Sequence, residues 1–143
     1  PRGCDRCPLE WDTDCCLSSR YMVQVAGMLQ GTETTFVDMS YGKGKDSAGT
    51  EQEQRAREDA EIVQRVEDAI RPNTKLIWAE TPTNPLLNLV PIALIAEVAK
   101  MHGIPLVIDN TFASPYWQNP LALGADVVVH SITKYRESSS DLL

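Results

Sequence analysis

Residues 104–109 read I-P-L-V-I-D, an apolar run that stops on an acid. A strand with one wet face alternates apolar and polar side chains. This run does not, so it predicts a strand buried on both faces, as in a parallel sheet covered by helices. Two other stretches share the pattern. K-L-I-W-A at 75–79 runs into Glu80, and A-D-V-V-V at 125–129 runs into His130 and Ser131. T-T-F-V-D-M at 34–39 is β-branched and aromatic and predicts a further strand. Between the strands the period changes. Ile62, Val63, Val66, Ala69 and Ile70 recur at helical spacing, giving a helix with one apolar face that ends near Arg71-Pro72. Pro91 can occupy the first turn of a helix through Met101, and Gly103 fits its C-terminal cap. A short helix fills the path from Asp109 to Ala125. The order is strand, helix, strand, helix, strand, short helix, strand, which is an α/β fold on a parallel sheet. No internal repeat is visible.

The chain has 143 residues, enough for one ordinary domain with its own core. Its net charge of −7 argues against a general nucleic-acid or membrane-surface role, since phosphates reward Lys and Arg. No apolar run approaches a membrane span and the start lacks a signal-peptide core, so a cytoplasmic location is expected. The four cysteines, Cys4, Cys7, Cys15 and Cys16, crowd the first sixteen residues. C-x-x-C followed by C-C is compatible with zinc, with disulfides, or with free thiols on a poorly ordered end, and the spacing leaves these open. No metal ligand is assigned among the candidate site residues. Residues 41–60 are polar after Tyr41 and predict an exposed loop that becomes the solvated start of a helix.

Ligands of such sheets bind beyond the carboxyl ends of the strands. There stand Glu80 with Asn84 four residues on; Asp109 with Asn110 and Thr111; and Ser131, Thr133 and Lys134. Taken singly, an Asp after a strand is a turn former, Ser-x-Thr a turn, and a lysine a surface charge. Taken together, they form a set. A carboxylate can pair with a cationic ring nitrogen, hydroxyls can donate to a phosphate, and a lysine can form an imine with an aldehyde. Pyridoxal 5'-phosphate (PLP) needs all three.

The sequence around these residues is also familiar. T-K-L-I-W-A-E-T-P-T-N-P, followed by G-I-P-L-V-I-D-N-T-F-A-S-P-Y-W-Q-N-P-L-A-L-G-A-D-V-V-V-H-S-I-T-K-Y, closely resembles the Cys/Met-metabolism family of PLP enzymes. That group contains the cystathionine gamma-lyases, gamma-synthases and beta-lyases and the methionine gamma-lyases. The likeness runs through residues 74–135 and more loosely through 33–40. It implies part of the PLP-binding large domain of the aspartate-aminotransferase-like type, fold type I. It implies that Lys134 holds PLP as an internal aldimine and moves the substrate Cα proton, and that Asp109 pairs with the pyridine nitrogen. Ser131 and Thr133 would contact the phosphate, Asn84 would approach the ring's phenolic oxygen, and Thr111 would lie close to the cofactor. Glu80 would have a less direct role. The implied chemistry is β- or γ-elimination or replacement on small sulfur amino acids of the cystathionine, homocysteine or methionine type. The implied assembly is a homo-oligomer, a tetramer built of dimers, with neither nucleic acid nor membrane as partner.

Three zones follow. Residues 1–31 are an irregular, cysteine-containing segment whose kinship with the rest the sequence leaves open. Residues 32–135 are a partial PLP-binding α/β domain with a polar insertion at 41–60, and 136–143 are a divergent tail. The resemblance also implies features not recognisable here: a ring-stacking tyrosine, an S-G-M-type turn upstream, and a G-G-H-S-D-like continuation after Tyr135. The expectation is a truncated piece of such an enzyme. The alternative is an inactive fragment or non-catalytic domain that has lost PLP.

Overall fold

Thr50 starts the first described helix because its side chain can do what a missing turn would. Its Oγ1 accepts from the Glu53 amide at 3.4 Å, and the Glu53 carboxylate accepts from the Thr50 amide at 2.9 Å. This reciprocal cap opens helix α1 (Glu51–Ala69) and makes the polar stretch before Ile62 its solvated first half. A computed structural model describes residues 31–41, 49–84 and 87–131. The cysteines, the run from Tyr21 to Leu29, Thr133, Lys134 and the 136–143 tail lie outside these described residues.

The chain divides into two compact units, Pro1–Thr34 and Thr35–Leu143. Of the first, residues 31–34 are described; they are exposed and have no strand or helix. Among the described residues, all regular elements belong to the second unit. After α1 come strand β1 (Ile77–Glu80), helix α2 (Ile92–His102), strand β2 (Leu106–Asp109), the short helix α3 (Ser114–Trp117) and strand β3 (Val127–Val129). The three strands are parallel, in the order β1-β2-β3. β2 is central and all four of its residues are buried, which is why its sequence shows no alternation. The ladder begins later than the apolar runs do. Pro105 has no N–H to give and serves only as acceptor for Ile77, and Asp126 caps the Leu106 amide at 2.8 Å with its side chain.

The core lies between the sheet and the two long helices. Ile62 and Val66 of α1 meet Ile95 and Ala99 of α2 and Ala79, Leu106 and Ile108 of the sheet. α2 opens after Pro91 and closes on Gly103, whose φ of 64° permits its amide to bond back to Ala99 and Lys100. Gly124 has φ 99°, and a Cβ there would stand 3.0 Å from the Ala96 Cβ, so glycine lets the chain entering β3 run close to α2.

The strand expected at 34–39 is not formed. Residues 32–40 have no ladder partner. Val37, Met39 and Tyr41 still alternate onto the core, and the Asp38 carbonyl accepts from the Arg65 guanidinium at 2.7 Å. The period-two signal therefore records an extended segment held by α1 side chains, with a side-chain donor where a neighbouring strand would bond. No helix among the described residues is long and apolar enough to cross a membrane.

Candidate functional site

Because the strands are parallel and in register, their carboxyl ends lie along one edge. Glu80 pairs with Asp109, and Asp109 with Val129. Registered partners point to the same face, so Glu80 and Asp109 set two carboxylates side by side. Asp109 ends the buried strand and is only 7% exposed. Burying a carboxylate is costly unless something answers its charge. One oxygen, Oδ1, accepts from the Thr111 amide at 3.0 Å, the Asx turn that an aspartate ending a strand favours. The Thr111 hydroxyl oxygen in turn accepts from the Ser131 amide at 2.8 Å.

Asp109, Thr111 and Ser131, all anticipated from sequence, are thus joined in one chain of hydrogen bonds across the ends of β2 and β3. With its oxygen accepting from Ser131, Thr111 keeps its own O–H to donate. Ser131 brings a second hydroxyl to the same edge, half buried beside Thr111. A half-buried rim of hydroxyls beside a buried carboxylate suits a ligand that is cationic at one point and anionic at another.

Asn84 stands apart from this chain of bonds. It sits on the exposed turn after β1, where Thr83 exchanges hydrogen bonds with Asn88 and accepts from the Leu87 amide. Glu80 ends β1, half buried. Thr133 and Lys134 lie outside the described residues. Among the described residues no cluster of three His, Cys, Asp or Glu side chains could hold a metal ion.

Three residues at this edge were not anticipated as site residues: Thr81, Asn110 and Gln118. Asn110 is fully buried and Thr81 is 1% exposed. Asn110 Nδ2 donates to the Gln118 carbonyl at 2.9 Å, and Gln118 Nε2 donates to Asn110 Oδ1 at 2.8 Å and to the Thr81 carbonyl at 3.0 Å. Thr81 Oγ1 accepts from Val90 at 3.0 Å. Two polar residues ending adjacent strands were visible in sequence. The glutamine that joins them, within P-Y-W-Q-N-P, carried no local signal.

The residues fit PLP in kind: a buried carboxylate for a protonated ring nitrogen, and hydroxyls for a phosphate. Comparison with known proteins points the same way. The family described as "Cys/Met metabolism PLP-dependent enzyme" matches residues 21–143. A probable cystathionine gamma-synthase of Herpetosiphon aurantiacus is 63% identical over 78 residues, which are 54% of this chain and 24% of that protein. The cystathionine gamma-lyase of Bacillus subtilis is 47% identical over 124 residues, 87% of this chain and 27% of its own. The crystal structure of metB from Corynebacterium glutamicum superposes with a TM-score of 0.60 at 40% identity, covering 78% of this chain and 24% of that one. The chain spans about a quarter of the length of these relatives.

Proposed function

We propose a function from one premise: this chain belongs to the Cys/Met metabolism PLP-dependent enzyme family. The function is that of a PLP-dependent carbon–sulfur lyase or transferase in transsulfuration. It acts by β- or γ-elimination or replacement on a small amino acid of the cystathionine, homocysteine or methionine type. The relatives named above support this reading through their activities, and the assembly proposed with it is a homo-oligomer. The observation that carries it is the buried Asp109 carboxylate, held by Thr111 and tied through it to Ser131 at the ligand edge of the sheet.

When bound, PLP supplies an electron sink that acidifies the substrate Cα proton. The chain's own residues make that sink effective. Asp109, buried at the end of β2, would hold the protonated ring nitrogen. Ser131 and Thr133 would donate to the phosphate, Thr111 would lie close to the cofactor, and Asn84 would approach the ring's phenolic oxygen. Lys134 would be the residue that anchors the cofactor through its amine, and the same amine would move the Cα proton.

The test is a visible absorbance titration of the chain with PLP, beside Lys134→Ala and Asp109→Asn. The expected result is a borohydride-sensitive band in the wild-type chain and none in Lys134→Ala. Asp109→Asn keeps the Asx turn but loses the charge. A charge-assisted hydrogen bond is worth about 1.5–3 kcal/mol, so PLP should bind roughly 10- to 100-fold more weakly. A wild-type chain with no band at saturating PLP would sink the proposal and leave a domain that has lost its cofactor.

A further inference from the structure

We propose that Gln118 is a positioning residue for the cofactor carboxylate: its side-chain amide clasps the ends of β1 and β2 and so sets where Asp109 and Thr111 are presented. This inference rests on the cofactor reading above.

The clasp closes a loop. Leaving β2, the Asn110 carbonyl accepts from the Ser114 amide at 3.0 Å, and the Ser114 carbonyl accepts from the Gln118 amide at 3.2 Å. The Asn110 side chain then donates to the Gln118 carbonyl at 2.9 Å. The backbone from 110 to 118 is thereby fastened to itself, with Ser114 held at φ 62°, where a non-glycine residue is strained. The Gln118 amide nitrogen uses its two hydrogens differently. One returns to Asn110 Oδ1 at 2.8 Å; the other crosses to the Thr81 carbonyl at 3.0 Å. The residue that follows β2 and the residue that follows β1 are thus held by one nitrogen.

The location makes this more than loop packing. Asn110 lies between Asp109 and Thr111, so a rotation of its backbone would swing both. The Thr81 amide donates to the Asp109 carbonyl at 3.2 Å, so the far end of the clasp bears on the same residue. Asn110 and Thr81 are buried, so no water replaces the lost donor when the amide is removed. The Ile62, Ile95 and Leu106 core carries the fold's stability elsewhere. Losing the clasp should therefore loosen the ligand edge more than it unfolds the domain.

The experiment uses the full chain with PLP. Gln118→Met keeps length and removes the donors; Gln118→Glu keeps shape and removes them too. Val66→Ala, which cuts the core between the helices, serves as a stability-matched control. Melting temperature, PLP dissociation constant and visible circular dichroism of the bound cofactor are read for each. We expect both Gln118 variants to bind PLP about tenfold more weakly, the scale of one buried hydrogen bond, with an altered visible dichroism. Val66→Ala should melt lower yet bind and absorb as wild type.

Gln118 variants that bind with wild-type affinity and dichroism would overturn the proposal. So would losses that track melting temperature alike in all three variants. If neither Gln118 variant folds, hydrogen exchange of the wild-type chain decides. PLP protection reaching from 109–111 to both 114–118 and 80–82 supports the clasp, and protection confined to 109–111 overturns it. A wild-type chain that binds no PLP overturns the cofactor reading itself and this inference with it, an outcome distinct from any effect specific to Gln118.

Discussion

At the scale of single residues, Tyr41 shows how a side chain fastens the segment that fails to become a strand. Its ring lies under the Arg55 guanidinium, 4.6 Å from charge to centroid, and its hydroxyl donates to the Asp59 carboxylate. Burial, then the Asp59 hydrogen bond and charge, push the phenol from its ordinary 10.0 up to about 12. The sign follows. A group whose folded-state value is raised binds its proton more tightly in the native state. Its stabilisation is complete below pH 10 and is lost as pH climbs from there through about 12. Denaturant midpoints measured across that window should fall less steeply for Tyr41→Phe than for the wild-type chain, and parallel slopes would show that Tyr41 makes no such contribution. The candidate site was legible only in part. Asp109, Thr111 and Ser131 stood out as candidates because they follow closely on the ends of apolar runs. Gln118 could not, because its partners Asn110 and Thr81 meet it only once two strands lie side by side.

At the scale of elements, α1 was read correctly as a helix with a wet first half and a buried second half. The signal lay in the spacing of Ile62 and Val66, and the start could be fixed only by the Thr50–Glu53 cap. Ile62 is fully buried where α1 meets α2 and the sheet. Ile62→Ala should cost about 2–5 kcal/mol in urea unfolding, whereas Met101→Ala, on a side chain 70% exposed, should stay within about 0.5 kcal/mol. Equal costs would mean that the core is not organised around α1. The strand expected at 34–39 fails for a reason that propensity does not contain. Alternation reports which side chains are buried, and Val37, Met39 and Tyr41 are indeed turned inward. A ladder needs a neighbouring backbone, and at Asp38 the donor is Arg65 instead.

At the scale of the whole molecule, the described sheet has two outer strands, β1 and β3, each paired to β2 alone. β3 leaves Val127 46% exposed, and the nearby sequence displays Tyr116 at 86% and Trp117 at 81%. Open strand edges with apolar neighbours promote association. The purified chain is expected to self-associate with rising concentration in sedimentation velocity, and Val127→Lys, which puts a charge on the outer strand, should shift it toward the monomer. A wild-type chain that stays monomeric at every concentration would contradict this. The sequential order of the strands has another consequence, for the time course of folding. Among the described strands, β2 pairs with β1 and β3 with β2, so each new strand joins the one made just before it rather than a more distant one. On a ribosome the sheet can grow in the direction of synthesis. β1 and β2 can pair, setting Asp109 against Glu80, before the residues of β3 have emerged.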